Sequence, residues 1–282
     1  MVETASYPRR PSGRFDAVPE AGENVNPVPS PSYDYSRSHR AVEILSITAG
    51  FLLLVGFGVQ VWRTISTPSG VINLLLTGLC AYVAADLVSG IVHWAGDTIG
   101  DEQVPFLGPN FIKPFRNHHV DQLAITRHDF IETNGNNCII VIPPLTLALI
   151  LLPGKESFLF FACTFMAFLG LFVVATNQFH KWAHQPNPAG YIRRLQSWGL
   201  ILSPRHHDIH HAPPHDKHYC ITVGWLNPIL NGMRFFRAAE WVVAQFRPGW
   251  LHIDERKRVL ADLATGPRMA VETGADKQSV IP

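Results

Sequence analysis

The sequence predicts an all-α integral membrane protein with about four transmembrane helices. Hydrophobic residues make up 47% of the chain and charged residues only 16%. The apolar residues are concentrated in four stretches, three of which are long enough to cross a bilayer, which takes about 20 residues. We expect helices because a backbone exposed to lipid must satisfy its own hydrogen bonds.

The four predicted spans share a continuous apolar composition with very little charge, and they cover about residues 41–62, 70–92, 138–152 and 157–176. The third span is the shortest and contains Pro143-Pro144. Because proline removes a backbone donor and crowds the preceding turn, we expect this helix to be kinked.

Polar segments flank the spans and divide the chain into three parts. Residues 1–38 are rich in Pro, Ser, Gly and charge, which predicts a disordered tail. Residues 261–282 return to polar sequence and predict a flexible second tail. Residues 39–260 are therefore predicted to form the membrane domain.

The distribution of basic residues predicts the orientation in the membrane. Only Arg63 and Lys155 of the 23 Lys and Arg residues fall in the two short connections, and the other 21 flank the opposite ends of the spans. By the positive-inside rule both termini and the loop between the second and third spans are cytoplasmic. We expect a bacterial inner membrane rather than the endoplasmic reticulum.

Composition excludes several other classes of protein. A net charge of +1 gives no electrostatic reason to expect a nucleic-acid partner. The four cysteines show no CxxC spacing, so packed free thiols are expected rather than a disulfide framework.

Eleven of the fourteen histidines fall in four short clusters, which lie at the same predicted membrane face. Histidines four apart on a helix share one face, and imidazole is a frequent metal ligand. Ten candidate ligands exceed the four that a tetrahedral zinc needs, which indicates a site for two metal ions. The candidates are His93, His118, His119, His180, His184, His206, His207, His210, His211 and His215.

Polar residues among these clusters are candidates to support the ligands. A metal-bound imidazole usually donates its other N–H to a carboxylate or carbonyl, which fixes its orientation. The residues in suitable sequence positions are His128, Asp97, Asp121, Asp129, Glu132 and Asn177.

Four long motifs resemble the plasmanylethanolamine desaturase family, which comprises the Kua-type and CarF-type lipid desaturases. The motifs are DLVSGIVHWAGDT, FRNHHVDQLAITRHDFIETNGNNC, NQFHKWAH and LSPRHHDIHHAPPHDKHYCITVGWLN. They cover about residues 75–245. Gln122 and Asn136 depart from the proline and aspartate expected there, but neither departure removes a histidine.

The resemblance implies an O2-dependent oxidoreductase with a di-iron centre. Its substrate would be an ether phospholipid whose sn-1 O-alkyl chain becomes the vinyl ether of a plasmalogen. The chain has no HPGG-type, GxGxxG or ferredoxin cysteine motif, so we expect a separate cytochrome b5-like or ferredoxin-like electron donor.

Three alternatives remain open from the sequence. A di-iron acyl-lipid desaturase or hydroxylase acting on another lipid would use the same ligands. A zinc-dependent membrane lipid hydrolase would leave at least five histidines unexplained. A haem-binding membrane cytochrome would need axial histidines that face each other, not tandem pairs.

Overall fold

A computed structural model describes residues 36–105, 107–252 and 257. Within these residues the chain is helical and contains no β-strand. The α-helices, in chain order, are α1 Arg37–Thr64, α2 Pro68–Thr98, α3 Lys113–Val120, α4 Ala124–Arg127, α5 Phe130–Leu151, α6 Phe158–His184, α7 Gly190–Ser197, α8 Pro204–His207, α9 Asn227–Gly232 and α10 Phe235–Phe246. A π-helix, Gly108–Ile112, and a 3-10 helix, Pro248–Trp250, complete the elements.

Four of these helices (α1, α2, α5 and α6) are long and apolar enough to cross a membrane. Large apolar side chains point outward from them, and Phe158 and Ile150 are 90% and 75% exposed. Such surfaces suit lipid rather than water. The chain is therefore a multi-pass membrane protein, as its composition predicts.

The predicted tails lie almost wholly outside the described residues. The exception is the end of the predicted segment 1–38, because α1 begins at Arg37 and so includes its last two residues. Nothing described here bears on residues 261–282.

The helices extend beyond the predicted spans at the histidine-bearing face. α2 runs to Thr98 and α6 to His184, so His93 and the pair His180 and His184 lie within the last turns of these helices. The predicted spans end earlier than the helices because they were bounded at the first polar residues. These histidines and carboxylates continue the helices and face other protein groups.

The third span was predicted to begin at residue 138, but α5 begins at Phe130. The side chain of Asp129 accepts from the backbone N–H groups of Ile131 and Glu132, which caps the helix. Asn134 and Asn137 donate across to Gln178 and to the carbonyl of Val173 on α6. The polar segment is helical because its amides bond to a neighbouring helix.

The long helices pack as α1 against α5, α5 against α6, and α6 against α2. The core shared by α1, α5 and α6 contains Phe57, Val141, Leu145, Ala148, Cys163 and Ala167.

At the face away from the histidines, Glu156 accepts from the backbone N–H of Ser66 and from the hydroxyl of Thr67. This contact joins the two short connections, so the two helical hairpins are tied at that end.

Candidate metal centre

Four parts of the chain bring histidines to one end of the bundle. The C-terminal turns of α2 and α6 supply His93, His180 and His184, and α3 supplies His118 and His119. The segment that begins with α8 supplies His207, His210 and His211. Eight of the ten candidate ligands thus meet in two compact groups.

The larger group, called the five-histidine group below, comprises His118, His180, His184, His207 and His211. Its ring nitrogens converge: the Nε2 atom of His180 lies 3.0 Å from that of His118 and 2.8 Å from that of His207. The Nε2 atoms of His118 and His184 are 2.9 Å apart, and those of His207 and His211 are 3.0 Å apart.

The smaller group, called the mixed group, comprises His93, Asp97, His119 and His210. The Oδ1 atom of Asp97 is 3.1 Å from Nε2 of His119. Its Oδ2 atom is 3.5 Å from Nε2 of both His93 and His210. His93 and His210 are fully buried, so water is excluded from most of this group.

Two of the three tandem histidine pairs are divided between the groups. His118 joins the five-histidine group and His119 the mixed group, and His211 and His210 divide in the same way. His118 and His119 lie on α3, where neighbouring side chains point about 100° apart, and His210 and His211 lie in the turns that follow α8. Each of these two pairs therefore reaches both groups at once.

The geometry of the groups fits metal ions. Two ligand atoms about 2.1 Å from one ion lie about 3.0 Å apart at a right angle and about 3.4 Å apart in a tetrahedron. The nitrogens of the five-histidine group and the contact between Asp97 and His119 are close to the first spacing, and the contacts of Asp97 with His93 and His210 are close to the second. Nε2 of His93 and of His210 and both oxygens of Asp97 are buried without a hydrogen-bond partner, as expected for metal ligands.

Burial keeps these imidazoles in the form that binds metal. It lowers the pKa of His118 to about 2, and the neighbouring His184 contributes to this shift. Burial, followed by the proximity of His180, also holds the pKa of His207 well below its usual range. Neutral imidazole offers a lone pair, which protonated imidazole does not.

A non-helical segment, residues 219–226, lies along one face of α2 and orients the site. Asp86 is fully buried and accepts from the backbone N–H groups of Val223, Gly224 and Leu226. One turn further on, Ser89 accepts from the N–H of Ile221. The next turn carries His93, whose Nδ1 lies 3.2 Å from the carbonyl of Tyr219. The same helix face therefore holds the segment and fixes one candidate ligand.

Two candidate ligands lie outside both groups. Nε2 of His206 is 3.1 Å from Nδ1 of His218 and 3.0 Å from the side-chain amide of Asn227. His215 directs Nδ1 to the carbonyl of His210, and its ring packs against His119 with centroids 4.5 Å apart. From these positions His206 and His215 contact other histidines and can hold them in place.

The predicted supporting residues are dispersed. Asp121 is paired with Arg127 on the surface, and Asp129 is paired with Arg40 on α1. Nε2 of His128 lies 3.5 Å from Oε1 of Glu132, and the backbone carbonyl of His128 accepts from the ammonium group of Lys181 on α6. Asn177 donates to the carbonyl of Thr133. These contacts tie the helices around the site, and only Asp97 lies within a group.

The structure adds orienting groups that the sequence did not predict. They are the backbone carbonyls of Tyr219 and Lys217, which face Nδ1 of His93 and of His210. No pattern in the side-chain sequence predicts a backbone contact of this kind. For Asp86, by contrast, an acidic residue inside an apolar span was a usable signal.

Comparison with known proteins identifies related chains. Residues 82–248 match the family described as lipid desaturase domain. Plasmanylethanolamine desaturase of Myxococcus xanthus is 48% identical over 74% of this chain and 73% of its own length. Plasmanylethanolamine desaturase 1 of Mus musculus is 43% identical over 59% of this chain and 64% of its own. Fatty acid desaturase 4, chloroplastic, of Arabidopsis thaliana is 39% identical over 59% of this chain and 50% of its own length. No solved structure matches significantly.

Proposed function

This chain belongs to the lipid desaturase family, and from that premise we propose that it converts the sn-1 O-alkyl chain of an ether phospholipid to a vinyl ether. Membership of the family makes it an oxidoreductase that desaturates a lipid. The choice of an ether lipid is supported by the two relatives named plasmanylethanolamine desaturase, which show the higher identities of the three relatives compared above.

The single observation that carries the chemistry is the pair of groups at one end of the bundle. In this proposal the five-histidine group holds one iron, and the histidines of the mixed group hold the second. Two bound irons would supply, with O2 as co-substrate, an oxidant strong enough to take hydrogen from an unactivated methylene. A single tetrahedral zinc would leave one complete group without a role.

The residues of this chain position the lipid and the ligands. Three of the candidate ligands, His93, His180 and His184, lie at the C-terminal ends of α2 and α6, and the proposal therefore puts the site where a membrane span meets the headgroup layer. A phospholipid anchored by its headgroup presents the first carbons of its alkyl chain at this depth. The carbonyls of Tyr219 and Lys217 hold the rings of His93 and His210 in fixed orientations, which favours a reaction that depends on position.

Each turnover also requires two electrons. We assign their supply to a separate cytochrome b5-like or ferredoxin-like protein that meets the face carrying the histidines. Purified enzyme supplied with O2 and lipid should then turn over only when such a donor and its reductase are added.

An acyl-lipid desaturase is the second candidate function, and the 39% identity to fatty acid desaturase 4, chloroplastic, favours it. It would use the same ligands but would remove hydrogens from an ester-linked chain.

Feeding cells an alkylglycerol that is deuterated at C1 and C2 of its O-alkyl chain tests the reaction. Cells that express this protein should form an acid-labile vinyl ether that has lost one deuterium from each carbon, because the proposal places the new double bond there. Mass spectrometry of the lipids gives the label count, and product should disappear without O2. Loss of label from an acyl chain, with no vinyl ether, would instead favour the second candidate.

The proposed cytoplasmic orientation has its own test, based on the concentration of basic residues on the histidine-bearing side. A green fluorescent protein fused to the C-terminus should fluoresce, and an alkaline phosphatase fused at the same point should be inactive. In a bacterial host the reverse pattern would place the site outside the inner membrane.

A further inference from the structure

The carboxylate of Asp97 lies at the centre of the mixed group. Its side chain is 11% exposed, and three imidazole nitrogens lie 3.1 to 3.5 Å from its oxygens. Two roles are compatible with these distances. Asp97 could accept hydrogen bonds from the imidazoles, or it could bind the same metal ion as they do.

The backbone contacts of two histidines distinguish these roles. Nδ1 of His93 faces the carbonyl of Tyr219 at 3.2 Å, and Nδ1 of His210 faces the carbonyl of Lys217 at 2.9 Å. A carbonyl only accepts, so each Nδ1 carries the hydrogen. A neutral imidazole has one such hydrogen, and Nε2 is then an acceptor with a lone pair. Neither Nε2 can donate to Asp97.

Lone pairs and a carboxylate would therefore face each other in a buried place. Without a cation between them this arrangement is repulsive, and burial strengthens the repulsion. One divalent ion bound by all four side chains removes the conflict.

The spacing along the chain points the same way. In the five-histidine group, His180 and His184 are four residues apart on α6, and the backbone N–H of His211 donates to the carbonyl of His207, four residues before it, in the turn that follows α8. In the mixed group the residue four positions after His93 on α2 is Asp97. Asp97 thus occupies the position that a second histidine ligand takes in the other two pairs.

We propose that Asp97 is a direct ligand of the metal ion held by His93, His119 and His210, so that the two metal positions carry different donor sets. This inference rests on the proposed function, because it requires two metal ions. One position then has five imidazoles. The other has three imidazoles and a carboxylate, a combination related to the His and carboxylate sets of non-haem iron oxygenases. The negative ligand lowers the net charge of that position only.

The test uses purified full-length protein loaded with ⁵⁷Fe(II) to saturation. Wild type should hold about two irons and give two Mössbauer doublets of similar area. Asp97→Asn should hold about one iron at saturation and lose one doublet, and His93→Ala should lose the same one. The matched control is Asp101→Asn, since Asp101 is exposed and accepts from the backbone of Gln103; it should keep both irons.

Asp97→His covers the case in which the Asn variant does not fold. An imidazole can replace a metal ligand but cannot replace a carboxylate counter-charge, so this variant should hold two irons with one doublet shifted. A saturated Asn variant with two irons and unchanged doublets would show that Asp97 only orients the histidines, and the proposed function would stand. Wild type holding a single zinc would overturn the proposed function together with this inference.

Discussion

Replacing His180 with alanine is expected to abolish the formation of the desaturated lipid and to lower the iron content from about two per chain to about one. His180 is central to the five-histidine group, because its Nε2 atom lies within 3.2 Å of those of His118, His184 and His207. Removing a group that merely orients a ligand costs about 10- to 100-fold in activity or metal affinity. We therefore expect a loss of at least about 100-fold from removal of the ligand itself.

The measurements are lipid product per cell, iron per purified chain and the amount of protein in the membrane. His119→Ala provides a comparison, since it should also abolish product but empty the mixed group. His252→Ala serves as the control, because His252 lies outside both groups. Near-normal turnover of His180→Ala, in protein that inserts normally, would remove this residue from the ligand set.

Asp86→Ala is expected to release the segment 219–226 from α2. Asp86 accepts three backbone N–H groups, and its side chain is fully buried inside a membrane span. A buried donor left without a partner costs about 1–3 kcal/mol, so the loss of three acceptor contacts should cost at least about 3 kcal/mol. The backbone N–H groups of this non-helical segment are buried against a membrane helix, where no water can replace the lost hydrogen bonds.

The thiol of Cys220 gives a direct measurement of this release. Cys220 is fully buried, and a Cβ atom on Gly90 of α2 would meet its sulfur at 2.5 Å, so the segment and α2 are in close contact. In a Cys80→Ser background, which removes the exposed thiol, Asp86→Ala should raise the rate of maleimide labelling at Cys220 by about 100-fold.

Ser89→Ala, which removes a single acceptor, should give a much smaller increase in labelling. The same ordering is expected for loss of activity, because the segment also carries the carbonyl that faces His93. A slow labelling rate in folded Asp86→Ala would mean that other contacts hold the segment.

The sequence predicted the number and order of the membrane helices but not where they end. Apolar composition is a direct consequence of lipid exposure, so the middle of each span was readable. The ends were not, because Thr133, Asn134 and Asn137 look like loop residues. They are helical only because partners on α6 accept or donate across the interface, and a partner distant in sequence leaves no local signal.

The candidate site was likewise predictable only in part. The histidines were recognisable because tandem and i, i+4 pairs at span ends are unusual in a lipid-facing sequence. Their division into two groups depends on how α2, α3 and α6 meet, which spacing alone does not determine. His206 and His207 illustrate this: they are adjacent, yet one faces His218 and Asn227 while the other joins the five-histidine group. The assignment of individual ligands stays a prediction for metal analysis.

The division of two tandem pairs has a consequence for how the distance between the two groups is set. Adjacent Cα atoms are 3.8 Å apart whatever the surrounding structure does. Because His118-His119 and His210-His211 each contribute one histidine to each group, the two groups are linked twice by single peptide units. The bundle can bend with the bilayer while the Cα separation within each pair stays constant. The backbone spacing beneath the two groups is thus set by covalent geometry and does not depend on the softness of the membrane around it.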